Sequence, residues 1–300
     1  MTHQQSDLSR ALFFLLLAIF LFDVMSAIIK HLGTRYPVAQ LSVYRNLFGV
    51  IPSVLLLIFS GNWISDGRQL VIRQWRLGLV RGLIGTFAQL TFYFSLTKLE
   101  FATASAIAFS GPLFITALSI PILKHHIGLW RWLAILIGFA GIVMVMNPGA
   151  AVFNIYAVLP LLAAFGYATI SVTAALFDKS TPTALVNLYV SAGAIVGSVS
   201  FMLLTQSYQS IASITDWIWL IAMGSAGGAA VFCIMTAYRL TAPSNLSPFE
   251  YFGIPVSFII GWVFFSEAPF ERLFPGVIFI ISGGLLIVWR QRFLKSRDVV

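Results

Sequence analysis

The sequence predicts an all-α membrane protein: ten transmembrane helices as a 5+5 inverted repeat, with the N- and C-termini both inside. Three observations carry this. Of 300 residues, 59% are hydrophobic and only 9% charged, where a soluble domain is about a quarter charged. Apolar stretches of membrane-crossing length recur along the whole chain. Lysine and arginine collect on one side of them.

A helix rises ~1.5 Å per residue, so ~30 Å of hydrocarbon takes about 20 mainly apolar residues. Ten stretches qualify: 10–31, 38–59, 77–97, 101–123, 128–146, 153–176, 183–205, 216–238, 244–265 and 273–290. They are continuous apolar runs, such as Ala11 to Leu21, not the period-two alternation of a membrane barrel. The first stretch contains Asp23 and ends at Lys30-His31-Leu32-Gly33 with no small-residue cleavage site. It therefore reads as a span and not as a signal peptide. With the N-terminus inside, thirteen basic residues flank the cytoplasmic ends, among them Arg73, Arg76, Lys124 and Arg290 to Arg297. Four lie opposite: Lys30, Arg35, Lys98 and Arg272. That bias selects N-in, C-in and an even number of spans. The net charge of +8 belongs to these loops and gives no reason to expect nucleic acid. The loops are too short for a soluble domain. Cys233 is the only cysteine, so no internal disulfide forms.

Five spans per half divide the chain into 1–149 and 150–300. A shift of 143 lays Gly85 on Gly228, Pro112 on Pro255 and Gly141 on Gly284. A shift of 145 lays Pro37 on Pro182, Tyr44 on Tyr189 and Ser53 on Ser198. Inverted repeats are a transporter device, with the site near the midplane at interrupted helices. Span four carries Gly111 and Pro112, and span nine carries Pro248, Gly253 and Pro255. Proline frees carbonyls of the preceding turn, which in lipid must face protein or a wet cavity. These five residues are candidate helix breaks. Small residues in spans seven and eight, such as Gly193, Gly197, Gly227 and Gly228, read as surfaces for close helix approach.

Asp23, Arg45, Arg81 and Glu250 lie within the spans. A charge at depth costs at least a few kcal/mol unless paired or hydrated. Asp23 and Arg45 each stand roughly 10 Å below the outer ends of adjacent spans, so an Asp23–Arg45 pair is expected in the outer half. A Glu250–Arg81 pair in the inner half is allowed by depth. Such pairs are structural ties, gates or substrate contacts; a third reading gives Asp23 or Glu250 to proton coupling. Two acids against two bases favour a neutral or zwitterionic solute. Gln89 falls near the centre of span three, with Tyr93 one turn on along the same face. Tyr44 and Tyr251 join the candidate site, and Asn46, Tyr167, Asn187, Tyr189 and Trp262 form a wider set of pocket candidates. Trp63, Trp75, Trp130, Trp132, Trp217 and Trp219 read as interfacial anchors. Metal, phosphate and nucleophile motifs are absent: His125 and His126 point to different sides of a helix, and there is no H-E-x-x-H, C-x-x-C or phosphate loop. No cofactor and no metal are expected, and the chain is not expected to be an enzyme.

Several segments then combine. Asp23-Val24 leads to Leu32-Gly33-Thr34, Tyr44-Arg45 opens span two, and Arg81-Gly82-Leu83 opens span three. Ala102-Thr103-Ala104 runs to Gly111-Pro112-Leu113-Phe114, and Phe249-Glu250 runs through Pro255 to Phe265-Ser266-Glu267. In this order they resemble the drug/metabolite transporter superfamily, in its EamA-type family. The pattern is similar to a branch of S-adenosylmethionine, riboflavin and metallophore carriers. The resemblance implies a multi-pass carrier of the bacterial inner membrane, working by alternating access on a small metabolite, without ATP and without an obligatory partner subunit. Two positions depart from relatives: Lys124 replaces a common Glu at the end of span four, and Ser247-Pro248-Phe249 replaces a Tyr-Arg-Tyr-type block before Glu250. The second departure, with the tyrosines available for stacking, leans the expectation to riboflavin-like cargo. Import or export of S-adenosylmethionine, amino-acid-derived or amphipathic compounds is the alternative, and a membrane scaffold or enzyme the remote one.

Overall fold

A computed structural model describes residues 2–59, 71–123, 129–146, 154–178, 181, 183–240, 249–250, 252–267, 270–283 and 285–286. Among them there is no strand. The helices are α1 (Thr2–Leu32), α2 (Val38–Ile58), α3 (Trp75–Lys98), α4 (Phe101–Ala108), α5 (Gly111–Leu123), α6 (Leu129–Met146), α7 (Val158–Thr173), α8 (Thr183–Leu204), α9 (Ile214–Leu240), α10 (Gly253–Phe265) and α11 (Phe270–Leu273). Residues 276–283 are also helical. Among the described residues six helical stretches are long and apolar enough to cross a membrane: Ser9–Leu32, Trp75–Lys98, Phe101–Ile122, Ile155–Thr173, Ala184–Leu204 and Ile214–Ile234.

Local chemistry sets the helix ends. Pro37 precedes α2 in an extended conformation, φ −58° and ψ 137°, because its ring excludes the amide a helix interior needs. The Asn154 side chain accepts from the Tyr156 amide at 3.0 Å and caps the short 3₁₀ turn Ile155–Ala157 that leads into α7. Hydroxyls inside the helices turn back on their own backbone: Ser26 donates to the Phe22 carbonyl at 2.8 Å and Thr169 to that of Phe165 at 2.9 Å. In lipid such a bond satisfies the hydroxyl without water.

Packing follows the small residues. α1 packs most extensively on α9, and α9 also packs on α2, so α1 and α2 barely touch despite their short connection. In the same way α3 packs on α7 and α8. At the α3–α8 crossing, a Cβ on Gly82 would strike the Val190 carbonyl and one on Gly193 would strike that of Leu79. On α9, Gly228 sits against Pro52 of α2, and Gly227 against Met25 of α1 and Arg45 of α2. The glycine-rich face expected from the sequence is thus a set of backbone-close crossings. α4 packs against α10, and α5 against α7. A continuous apolar core runs from Ile29 and Leu32 of α1 through Tyr93 and Leu96 of α3 to Phe101 and Ile107 of α4 and Ile260 of α10.

Candidate functional site

Arg45 lies on α2 at the height where α1, α2, α3 and α9 converge. Its Nη1 donates to the Asn46 side-chain carbonyl at 3.1 Å. Asn46 in turn faces α8: its Nδ2 is 3.4 Å from both the Ala194 carbonyl and Ser198 Oγ. Arg45 Nε lies close to where a Gly227 Cβ would stand, beside Met25 Sδ. Tyr93, buried on α3, directs its hydroxyl at Met25 Sδ, 4.0 Å away, and has Arg45 and Gln89 as its electrostatic neighbours. Tyr167 of α7 feels Tyr93 and Arg45 as well, yet 40% of its surface is accessible. Arg45 Nε and Gln89 Nε2 are buried and lack a hydrogen-bond partner. Two buried donor atoms without acceptors, beside Tyr93, make this cluster the candidate site for an acceptor group.

Asp23 does not belong to this group. It is 7% exposed, and its Oδ2 has no partner; among the described residues it forms no ion pair with Arg45. The expected pair fails for a geometric reason. α9 stands between α1 and α2, and Arg45 meets α1 at Met25, about 200° around the helix from Asp23. Depth along the axis was right for a pair, but azimuth was not. The expected Glu250–Arg81 pair is also absent among the described residues. Arg81 turns to α7 instead: its Nη2 donates to the Ile170 carbonyl at 2.9 Å and its guanidinium lies 5.0 Å from the Phe177 ring centre. Glu250 is half-buried ahead of α10. Tyr44 faces away from Arg45, stacking on Phe48 and meeting Trp217 edge-on at 5.5 Å. Tyr251 and Pro248 lie outside the described residues.

The chain breaks flank the core. Helix stops at Ala108 and resumes at Gly111, with Pro112 in the first turn of α5, where a missing amide costs least. Open space borders this break: nothing lies within 4 Å of where a Gly111 Cβ would be. Nearby, Ser105 and Ser110 hydroxyls are buried without partners. Gly253 starts α10, with Pro255 in its first turn, and its missing Cβ makes room for the Phe109 ring. The two interrupted segments therefore touch each other. An apolar cleft of about 230 Å³ between Pro52, Leu55, Phe59 and Phe232 lies two turns along α2 from Arg45 and offers nothing to a polar solute.

Residues 9–147 match the model of the EamA-like transporter family. In that segment the chain is similar to membrane transporters of the EamA type. It is 26% identical over 278 residues to an S-adenosylmethionine uptake transporter of Rickettsia bellii, covering 92% of this chain and 91% of that one. It is 30% identical over 194 residues to a riboflavin transporter of Vibrio cholerae, covering 64% and 63%. It is 27% identical over 273 residues to the pseudopaline exporter CntI of Pseudomonas aeruginosa, covering 91% of each. A protein crystal structure of 20% identity superposes with a TM-score of 0.60 over 93% of this chain and 96% of that one, which establishes the fold alone.

Sequence reasoning missed one pair. Lys30 Nζ lies 2.6 Å from Glu267 Oε1, although the sequence placed Lys30 among loop charges and noted Glu267 only as a family landmark. A signal was there: Lys30 stands at the end of the apolar stretch 10–31 and Glu267 just past the end of 244–265.

Proposed function

We propose that this chain is a secondary carrier of the bacterial inner membrane that moves a small amino-acid-derived zwitterion by alternating access. S-adenosylmethionine is the first candidate and uptake the working direction. The observation that carries this reading is the unsatisfied donor pair, Arg45 Nε and Gln89 Nε2, beside Tyr93 and Tyr167. A guanidinium without a counter-charge in a membrane interior costs a few kcal/mol or more; among the described residues Arg45 has a neutral partner, Asn46, and no ion pair, and a substrate carboxylate offsets that cost better than a neutral carbonyl. The tyrosine rings suit a flat heterocycle. Asp23, likewise buried and unpartnered, suits a cationic group further along the path. The 5+5 reading is supported by packing that exchanges under swapping of the halves. α3 lies on α7 and α8 as α9 lies on α1 and α2; α5 lies on α7 as α10 lies on α1; and the interrupted segments α4 and α10 meet. The lysine and arginine bias supports N-in.

The test is uptake of labelled S-adenosylmethionine by cells lacking their own carrier, with and without this gene. Saturable uptake competed away by unlabelled compound is expected, falling at least about ten-fold in Arg45→Gln and Gln89→Leu with normal amounts of protein in the membrane. No uptake above the empty vector removes this cargo. A second reading is riboflavin transport, favoured by the 30% identity to the Vibrio cholerae protein and by the tyrosine rings. Labelled riboflavin in the same cells distinguishes the two, and preloaded vesicles report export.

A further inference from the structure

Lys30 ends α1 and Glu267 follows α10. Lys30 Nζ lies 2.6 and 2.8 Å from the two carboxylate oxygens and donates to the Leu99 carbonyl at 2.8 Å. Glu267 Oε2 also accepts from the Phe101 amide at 2.7 Å. Leu99 closes α3 and Phe101 opens α4, so the pair occupies both free backbone groups of that elbow. The ammonium stands 5.1 Å from the Phe265 ring, which stacks on Phe101. The two side chains are only 12% and 23% exposed, and shielding of this kind strengthens their attraction over that of a surface pair. Glu267 reaches Lys30 because Ser266 adopts a left-handed conformation, φ 55°, and the Glu267 amide then closes on the Gly261 carbonyl at 3.0 Å. A serine resists that conformation where a glycine does not.

We propose that Lys30 and Glu267 are a gate: joined, they hold the α1–α2 corner face of the transporter shut, and they separate when that face opens. This rests on the alternating-access reading above. The neighbouring ties are of another kind. Tyr36 donates to Asp216 at 2.8 Å and accepts from the Ala212 amide, and Gln40 pairs with the Gln209 backbone. All of these join the α1–α2 corner to α9 and the segment before it, and α9 is the helix on which α1 packs most; that group moves as one body. The Lys30–Glu267 pair instead couples it to α4 and α10, the helices next to the chain breaks. On separation Glu267 keeps the Phe101 amide at the start of α4, while Lys30 gives up both the carboxylate and the Leu99 carbonyl. Separation also releases the left-handed turn at Ser266, which is strain held in place by the closed pair.

The test places a reporter cysteine at Thr103, buried one turn into α4, after replacing the natural Cys233 by serine. A membrane-impermeant maleimide is applied from the α1–α2 corner side, the outer side for N-in. Glu267→Gln is expected to raise the labelling rate about ten-fold, and Ser266→Gly, which removes the strain of the closed turn, to lower it. In a separate Lys30→Cys/Glu267→Cys pair on the same cysteine-free background, a short bifunctional thiol reagent should stop transport, and its reduction should restore it. Unchanged labelling in both single variants, or full transport by the cross-linked protein, overturns the gate. Labelling needs no substrate: a carrier that transports with unchanged labelling refutes the gate alone. Faster labelling without flux of any tested solute refutes the carrier reading and leaves the gate standing.

Discussion

Asn46 accepts a hydrogen bond from Arg45, the residue before it, at 3.1 Å, while its amide nitrogen faces α8 at Ala194 and Ser198. The guanidinium is thereby oriented by a side chain that is itself braced against α8. Asn46 is 3% exposed, so water cannot take its place.

Asn46→Ala should therefore raise the KM for the transported solute with a smaller effect on the maximal rate. A hydrogen bond to a charged group contributes about 1.5–3 kcal/mol, so the expected rise is roughly ten-fold or more. Initial uptake rates across a substrate range check this. An unchanged KM would make Asn46 a packing residue only.

Two glycines should respond oppositely to alanine. At Gly82 a Cβ would strike the α8 backbone at Val190, whereas at Gly111 it would meet nothing within 4 Å. Gly82→Ala forces the α3–α8 crossing apart, and overpacking of this kind costs about 1–3 kcal/mol. Gly111→Ala adds helix propensity without a clash. Thermal unfolding in detergent should show a lower midpoint for Gly82→Ala and an equal or higher one for Gly111→Ala.

The second ion pair is lopsided. Arg35 is 60% exposed and 3.3 Å from Asp216, whose side chain is 3% exposed and also receives the Tyr36 hydroxyl. Removing an exposed partner costs little, while altering a buried acceptor leaves donors unpaired. Arg35→Ala should leave the unfolding midpoint near that of the parent, and Asp216→Ala should lower it clearly. Equal effects would mean that Arg35, and not Tyr36, holds this corner.

Much was legible in order of residues. Apolar run lengths gave the membrane class and the all-helical fold, because in lipid a backbone must satisfy its own polar groups. Gly111 and Gly253 marked where helices start again, since those are the positions at which the backbone leaves the helical ladder or admits a ring. Arg45, Gln89, Tyr93, Asn46 and Tyr167 stand out in the sequence as polar or aromatic groups within apolar stretches, and Arg45 and Gln89 are neighbours of Tyr93 in the structure.

Pairing was not legible, and the reason is dimensional. Counting residues fixes the height of a side chain along a helix at ~1.5 Å per step, but it leaves open which neighbour the side chain faces. Asp23 and Arg45 share a height, yet α9 separates their helices and Met25 meets Arg45 instead. Arg81 faces Ile170 and Phe177, and Lys30 finds Glu267 across 237 positions. The sequence by itself determined which polar and charged groups fall within long apolar stretches and how far along each they stand. Only the tertiary structure decided which of them meet, because helix rotation and the order of helices around the bundle are set by backbone-close glycine crossings between elements far apart in the chain.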